Sequence, residues 1–433
     1  MSTPSTIILK NNENVTFVMN PSITYFKSVF RRHTKFTISY KEERPNSDNN
    51  TFKDNDSITI DLNYYADLLC DISLKVSIDS ENNGSLVHGG RDPPGWPDDL
   101  PLFLINDITL NLLGPNFDLD KLDKDYINFH AMLNNPKSNN STYNLDSNSV
   151  LTCNDGNNYQ NMSLCGGVIN SKNYDAPIHK MTSVIPLPFA FCKSIGNAIP
   201  LCALNLTNTK LQVVLTSVDK SQPENKFRRG TDEETNNDII IDLFKYSVIS
   251  KYIFLSDEEK LRFKNSKQEY LYERVNILNS GSAFTQLNNN DGIININRLS
   301  INHPIKQIYL YNQFISDIPF NKLKYNLFIN NEQLFSSFFN HEFFSKVENL
   351  NKFKGCIYNG QNGSNTVVDN NIALIDFSLK NSDGPSGCIS PNTNKIDLHI
   401  KIDDTGNKYN TKVFVVCYYF LTISNETIKY MFE

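Results

Sequence analysis

The stretch Ile396–Ile402, IDLHIKI, alternates apolar and polar residues at every position. Successive side chains of a β-strand point to opposite faces, so this pattern predicts a strand with one face on a core and the other on solvent or a neighbour. The same alternation recurs in four further stretches, at 36–40, 58–62, 72–78 and 108–112. Many short strands separated by turn-rich segments predict an all-β sandwich or barrel.

The length of the chain and its polar segments predict two domains. A chain of 433 residues is long enough for two or three domains of ordinary size. Long polar segments, typical of surface or functional loops, occur in both halves, at 134–161, 217–238, 355–371 and 381–394. This recurrence predicts two similar domains, covering residues 1–255 and 256–433 and joined near Ser256.

Three short helices are predicted within this β-rich pattern. Asn20-Pro21 places a capping side chain before a proline, which favours a helical foot over about residues 20–33. Ser256 precedes three acidic residues that suit the positive end of a helix dipole, so a linking helix is predicted there. A third helix is predicted within residues 123–133.

The composition argues against nucleic acid as the main partner. The net charge is −6, and lysine and arginine are scattered rather than concentrated. Nucleic-acid binding depends on a concentrated positive surface, so no direct contact with nucleic acid is expected. The 8 cysteines form no CxxC pair. They are expected to be reduced, buried small hydrophobes in a cytosolic assembly.

No targeting or membrane-spanning segment is expected. The opening residues, MSTPSTIILKNN, lack the basic and apolar regions of a signal peptide. The longest apolar run, Val413–Leu421, is far shorter than the ~18–20 residues of a membrane helix. Its β-branched and aromatic residues predict a buried strand instead.

Motifs for catalysis and metal binding are missing from the sequence. There is no glycine-rich phosphate loop, and His341-Glu342 begins a zinc motif whose second histidine is replaced by Ser345. Sequence spacing cannot show whether two carboxylates share a cleft, as a glycosidase requires. We therefore expect no enzymatic activity, no catalytic residues, no cofactor and no metal ligands.

N-x-[ST] sequons are numerous because the chain is rich in asparagine and serine. The five candidate glycosylation positions are Asn83, Asn139, Asn140, Asn161 and Asn362, and all of them except Asn83 fall in the polar segments given above. Without a signal peptide the secretory route to glycosylation is not expected, and unmodified asparagine is favoured. Glycosylation by another route stays open as an alternative at these five positions.

The stretch Asn20–Phe36, NPSITYFKSVFRRHTKF, resembles the N-terminal signature of the major capsid proteins of nucleocytoplasmic large DNA viruses. That signature has Asn-Pro, an aromatic pair, lysine, an aromatic residue, Arg-Arg-His-Thr and a further phenylalanine. Five more segments resemble the family in the order in which they occur along its chains. They are DLLCDISLKVSI (67–78), IPLPFAFCKSIGNAIPLCALNLTNTKLQVVL (185–215), LSDEEKLRFKNSKQEYLYERV (255–275), INHPIKQIYLY (301–311) and TKVFVVCYYFLTISN (411–425).

The resemblance implies a double jelly roll, in which two eight-stranded sandwiches stand side by side. It also implies a homotrimer that forms a pseudo-hexagonal capsomer, with the long loops building its outward tower. The expected location is the capsid shell of the virion, after assembly in the host cytoplasm. The expected partners are other copies of the chain, neighbouring capsomers, minor capsid proteins and the internal viral membrane.

The cations of the opening signature suggest a role on the inner face of the shell. Lys27, Arg31, Arg32 and His33 lie beside an apolar stripe that includes Phe26. Our hypothesis is that they face acidic minor capsid proteins or anionic lipid, to which cations are attracted. The alternative of equal weight is a simply packed helix with solvated cations.

Three other functions fit parts of this evidence. A less abundant capsid paralogue would have the same fold, and so would a transient scaffold that forms a lattice on a membrane during assembly. A carbohydrate-binding jelly roll, or a glycosidase built on one, belongs to a different class. The lack of an aromatic platform motif or a compact acid pair speaks against that last function.

Overall fold

The computed structural model describes a set of ranges that together contain the main strands of both halves. These are residues 26, 32–45, 52, 57–78, 102, 104–113, 117–134, 143–145, 151–153, 181–204, 210–218, 244–278, 291–295, 301–314, 323–348, 372–379, 385–402, 409–424 and 427–430. The chain forms two compact units, Met1–Lys35 and Phe36–Glu433. All strands and helices given below belong to the second unit.

The first half of this unit is built almost entirely from strands. Their bounds are β1 (Phe36–Glu43), β2 (Ser57–Leu62), β3 (Leu68–Ile78), β4 (Ile105–Leu113), β5 (Phe117–Asp123), β6 (Tyr143–Leu145), β7 (Leu151–Cys153), β8 (Met181–Pro186), β9 (Ile199–Pro200), β10 (Lys210–Ser217) and β11 (Phe244–Leu255). Helix α1 (Lys124–Asn134) follows β5 directly. Three short 3-10 helices lie between β8 and β10, at Ala190–Lys193, Ile195–Asn197 and Leu201–Ala203.

The second half repeats this composition. Helix α2 (Asp257–Asn265) opens it. The strands that follow are β12 (Gln268–Leu278), β13 (Asp291–Asn295), β14 (Ile305–Phe314), β15 (Leu323–Ile329), β16 (Glu332–Gln333), β17 (Phe339–Asn340), β18 (Ile372–Asp376), β19 (Ile396–Ile402), β20 (Tyr409–Ser424) and β21 (Thr427–Tyr430). A single-turn π-helix, Phe343–Glu348, follows β17.

In the first half, early strands pair with late ones. The two main sheets have the strand orders β1-β11-β3-β8 and β2-β10-β4-β5, and all pairs are antiparallel. When these strands are numbered one to eight along the chain, the first pairs with the eighth, the second with the seventh, the third with the sixth and the fourth with the fifth. This is the pairing of a long hairpin rolled into two facing sheets, which defines a jelly roll.

The second half follows the same rule. Its sheets have the orders β12-β20-β14-β18 and β13-β19-β15-β16, again with first-to-eighth through fourth-to-fifth pairing. In the described part of the chain, no main sheet mixes strands from before and after residue 256. The predicted all-β class with two consecutive jelly rolls is confirmed. The domain limits of 1–255 and 256–433 stay a prediction.

A β-bulge occurs at the same place in both jelly rolls. In the third strand of the first roll, Cys70 is the extra residue where the register against β11 shifts. In the third strand of the second roll, Lys306 is the extra residue where the register against β20 shifts. Because a bulge bends its strand and fixes the local twist, it supplies a common reference point for comparing the two rolls.

Alternation predicted the buried face correctly for most strands. Ile60 on β2, Leu74 on β3 and Leu398 on β19 are fully buried, as are their apolar neighbours two residues away. On β1 the prediction of a core-facing apolar side is wrong. Its apolar residues Ile38 and Tyr40 are 43% and 66% exposed, because they lie on the outer face of the sheet, which the described residues cover only around α2.

The polar side of β1 faces inward instead. Glu43 is buried and accepts hydrogen bonds from the Ser250 and Tyr252 hydroxyl groups and from the Asn63 N–H. Burial raises the pKa of the Glu43 carboxyl above its usual value, although these three hydrogen bonds oppose the shift. An inward-facing acid of this kind fixes the position of an edge strand without apolar contacts.

Two of the three predicted helices are confirmed. Helix α1 covers residues 124–134, where 123–133 was predicted, and α2 begins directly after Ser256. Ser256 occupies the N-cap position, but its side chain makes no capping hydrogen bond, and its carbonyl instead accepts from the Lys260 N–H. The predicted foot at about 20–33 lies mostly outside the described residues. Within it, Phe26 is in a turn and is 99% exposed.

The fifth strand of the second roll is interrupted. A tight hairpin at Asn330 and Asn331, both with positive φ (53° and 68°), joins β15 to β16. Positive φ at both central residues is the requirement of a type I′ turn, which matches the twist of the flanking strands. After β16 one more hydrogen bond runs from the Leu334 N–H to the Leu327 carbonyl of β15, and regular pairing resumes only at β17. The residues between the two short strands therefore bulge outward.

Candidate assembly surfaces

The two jelly rolls are joined by an aromatic wedge carried on α1. Tyr126 and Phe129 are buried and contact rings on two strands of the second roll. The Phe129 ring centroid lies 5.2 Å from that of Tyr309 on β14 and 5.2 Å from that of Phe414 on β20. Aromatic pairs of this geometry contribute about 0.5–1.5 kcal/mol each beyond their buried area. The wedge thus makes one continuous hydrophobic core of both rolls.

A buried carboxylate lies beside this wedge and joins the rolls by charge. Glu273 on β12 contacts Lys306 on β14 (Oε1 to Nζ, 2.5 Å) and Lys193 of the first roll (Oε2 to Nζ, 3.2 Å). Lys306 is 1% exposed. Burial alone would raise the pKa of Glu273, but the two ammonium groups outweigh it and hold the pKa below its usual value.

A second ion cluster ties the start of α1 to the second roll. Lys412 on β20 forms ion pairs with Asp125 and with Asp123, the latter at 3.8 Å. Burial and the neighbouring Asp125 raise the pKa of Asp123 above its usual value. Burial would lower the pKa of Lys412, but the two carboxylates outweigh this and raise it. Charge pairing therefore fixes the orientation of the helix that carries the wedge.

Acidification is expected to remove the contribution of Glu273 to stability. Since its folded-state pKa is lowered, Glu273 stabilises the fold fully above the usual Glu value of about 4.3, and this stabilisation is lost as the pH falls through the lowered folded-state value. In urea unfolding, the difference in free energy of unfolding between wild type and Glu273→Gln should be larger at about pH 7 than at about pH 3.

The exposed Glu269 of the same strand gives a matched comparison. Its pair with Lys267 (2.5 Å) leaves both side chains about half exposed, so Glu269→Gln should change the free energy of unfolding little at either pH. A Glu273→Gln difference that stays constant with pH would contradict the lowered pKa.

One apolar surface is exposed on the outer side of sheet β1-β11-β3-β8. Phe36, Ile38 and Tyr40 lie on one face of β1, and we call them the strand patch. Ile38 pairs with Ile253 of β11, which is buried in a small apolar cluster that Phe263 of α2 packs against. Helix α2 therefore covers one end of this face and leaves the strand patch exposed.

A second apolar surface is exposed on the second roll, around the interrupted fifth strand and the π-helix. Leu334, Phe338, Phe343 and Val347 are each between 36% and 48% exposed, and we call them the phenylalanine patch. Phe343 packs edge-on against the buried Phe344, with ring centroids 5.2 Å apart. The grouping of four exposed apolar side chains within residues 334–347 makes this surface a candidate interaction site.

An open cavity of about 590 Å³ lies at the end of the first roll beside α2. Tyr65 and Phe254 form an aromatic part of its wall, with ring centroids 5.6 Å apart. Among its lining residues Asp67 alone is acidic, and its carboxylate is paired with Lys260 at 2.6 Å. A glycosidase needs two carboxylates in its cleft, so the lining does not support that alternative.

The structure brings the predicted site residues into no common site. Arg32 and His33 are exposed, and His33 Nδ1 lies 2.8 Å from the Thr34 carbonyl oxygen. Lys27 and Arg31 lie outside the described residues, and so do all five predicted glycosylation positions, Asn83, Asn139, Asn140, Asn161 and Asn362. The inner-face role of the cations and the glycosylation of these asparagines stay predictions.

The described residues contain neither a metal-binding cluster nor a membrane-spanning helix. No three His, Cys, Asp or Glu side chains among them are placed to hold a metal ion. In the same part of the chain, no helix is long and apolar enough to cross a membrane.

Sequence comparison connects the chain to viral capsid proteins. The profile of the family described as major capsid protein N-terminus matches residues 24–256, which is more than half of the chain. Capsid protein 1 of Acanthamoeba polyphaga mimivirus is 24% identical over 309 residues, which cover 69% of this chain and 46% of that protein. The major capsid protein of Paramecium bursaria Chlorella virus 1 is 26% identical over 311 residues, which cover 70% of this chain and 59% of that protein. The chain thus spans about half the length of the curated relatives that it matches.

Solved structures show the same fold. A chain of the PBCV-1 virus capsid superimposes with a TM-score of 0.67 at 17% identity, covering 95% of this chain and 100% of that one. The Faustovirus major capsid protein superimposes with a TM-score of 0.56 at 11% identity, covering 93% of each chain. With both the sequence profile and the paired jelly rolls in place, the chain belongs to the family of major capsid proteins of nucleocytoplasmic large DNA viruses.

Proposed function

We propose that the chain is a structural capsid subunit whose activity is assembly. In this proposal three copies form a pseudo-hexagonal capsomer, and capsomers tile the outer icosahedral shell of a large DNA virus. The observation that carries it is the junction between the jelly rolls. The Phe129 wedge and the Glu273 ion cluster hold two similar rolls side by side, so each chain brings two similar units to a ring.

The remaining parts of the proposal concern organisation and partners. We take residues 1–255 and 256–433 as the two domains, with α2 as the linking helix. The subunit would act in the virion shell after assembly in the host cytoplasm. Its partners would be other copies of itself, neighbouring capsomers, minor capsid proteins and the internal viral membrane. No reaction is assigned to it.

Size-exclusion chromatography with light scattering, together with mass spectrometry of purified virions, tests this function. We expect a particle of three times the 49.4 kDa chain mass and an abundant virion protein. A stable monomer that is absent from virions would refute the capsid function. A trimer of low abundance in virions would indicate a paralogue, and a trimer found only in immature particles would indicate a scaffold.

The cations before β1 are proposed to contact an anionic inner surface of the shell. Arg32 and His33 are exposed, as such a contact requires. Each cation near an anionic membrane contributes about 1 kcal/mol. The variant Arg31→Ala/Arg32→Ala is therefore expected to yield fewer full particles, which should dissociate at lower salt than wild type.

Lys210→Ala is a suitable control for this variant, because Lys210 is an exposed cation at the start of β10. Particle yield and salt tolerance are measured for both variants by sedimentation. If the double variant yields full particles whose salt tolerance equals that of wild type, these cations do not contact an anionic inner surface of the shell.

A further inference from the structure

The junction within the chain shows how one jelly roll contacts the next. Helix α1, which follows the fifth strand of the first roll, covers the outer face of sheet β12-β20-β14-β18 in the second roll. Its residues Tyr126 and Phe129 pack on Tyr309 and Phe414 of that face. We call the segment that follows the fifth strand the donor segment of this contact. We call the outer face of the sheet formed by the first, third, sixth and eighth strands the acceptor face.

The shared bulge allows the two acceptor faces to be compared position by position. In each roll, the residue that follows the bulge pairs with a residue of the eighth strand. That residue of the eighth strand pairs in turn with a residue of the first strand. This path leads from Asp71 to Tyr40 in the first roll and from Gln307 to Val275 in the second. Val275 is 5% exposed and Tyr40 is 66% exposed. The acceptor position that is buried in the second roll is thus exposed in the first.

The donor segments correspond as well. In the second roll the segment after the interrupted fifth strand is the π-helix Phe343–Glu348, which corresponds to α1 in the order of elements along the chain. The buried rings of α1 meet the other roll, whereas Phe343 and Val347 of the π-helix are 36% and 46% exposed. One chain therefore contains one completed donor–acceptor contact and the two exposed halves of a second.

We propose that the phenylalanine patch of one copy of this chain docks on the outer face that carries the strand patch of the next copy. This inference rests on the proposed trimer and names the surfaces that hold it together. The occupant of each patch is a second copy, because the chain itself shows that a segment after a fifth strand fits a face of this topology.

The arrangement accounts for ring closure. A contact between two different patches is heterologous, and such contacts form rings when the rotation closes. In the trimer, contacts within a chain and contacts between chains alternate around one axis, so three chains use every patch. No unmatched donor or acceptor is left.

The contact between chains should be more polar than the contact within a chain. Lys75, five residues after the first bulge, forms an ion pair with Glu42 at 3.0 Å on the acceptor face. The corresponding residue of the second roll is Tyr311, which stacks with Phe129 across the junction. A polar component suits surfaces that are exposed to water before assembly.

The variants Tyr40→Glu and Phe343→Glu test the proposal, each placing a charge in one patch. Each alone is expected to abolish the trimer at concentrations where wild type is trimeric, as measured by light scattering. When the two variants carry different tags and are mixed, one intact contact remains possible between them. Co-purification should then recover mixed pairs but no trimers, because the ring cannot close.

Leu379→Glu is the matched control, since Leu379 is an 83% exposed apolar residue outside both patches, and it should leave the trimer intact. Far-UV circular dichroism and the unfolding midpoint must match wild type for each variant, and serine replaces glutamate at any position where they do not. Variants that remain trimeric, or a mixture without mixed pairs, would overturn this inference while the wild-type trimer stands. A wild-type chain that is not a trimer would refute the proposed function itself.

Discussion

Glu273→Ala is expected to lower the free energy of unfolding by about 3–5 kcal/mol, the typical effect of removing one partner of a buried ion pair. The substitution takes away the carboxylate that contacts Lys193 at 3.2 Å and Lys306 at 2.5 Å. Both ammonium groups would then keep the cost of desolvation without the attraction that offsets it. Since Lys193 belongs to one roll and Glu273 to the other, the rolls should also separate more easily.

Urea unfolding at neutral pH measures this effect, and Glu269→Ala on the same strand is its control. Glu269 and Lys267 are both about half exposed, so their pair should contribute at most about 1 kcal/mol. Equal losses in the two variants would show that burial of the Glu273 cluster has no energetic consequence.

Phe129→Ala is expected to cost about 3–5 kcal/mol, as large-to-small substitutions of buried aromatic residues do. Phe129 is 1% exposed and contacts rings on both β14 and β20, so its removal leaves a cavity at the centre of the junction. We also expect a loss of cooperativity, because the wedge supplies aromatic contacts between two rolls that have separate sheets. Calorimetry should show two transitions where wild type shows one.

Phe420→Ala is the control for the wedge. Phe420 lies on β20 as Phe414 does, but it is 41% exposed, and its truncation should cost about 1 kcal/mol or less. A single transition in Phe129→Ala, with a loss no greater than that of Phe420→Ala, would show that the rolls are held together by other contacts.

The alternation of apolar and polar residues predicted many of the strands. It did not predict whether the apolar face of each strand is buried in the chain's own core. Ile60 and Ile38 stand in the same pattern of apolar and polar residues, yet Ile60 is fully buried and Ile38 is 43% exposed. Alternation shows only that a strand has two unlike faces. Whether the apolar face meets the core of its own chain or another molecule depends on tertiary arrangement, which the pattern does not encode.

The contacts between the two jelly rolls could not be predicted from the sequence, for a related reason. Helix α1 was predicted from its composition, but nothing in that composition indicated that Phe129 would face a second roll. Glu273 and Lys306 are separated by 33 residues and meet because their strands both flank β20. One signal was present, since Lys306 lies directly after Ile305 in a segment that resembles a strand of the family, and an unpaired charge in a buried strand would be costly.

The pairing of first strands with last strands has a consequence for synthesis. Phe36 of β1 pairs with Leu255 of β11, so the first roll cannot close until almost all of the N-terminal half has left the ribosome. Contacts so distant along the chain form slowly, and strands that wait for partners present open edges that favour aggregation. Helix α2 follows β11 directly, so the first roll has all its strands before any strand of the second is made. Ribosome stalling just before β11 should therefore be far more harmful to capsid supply than stalling just after it.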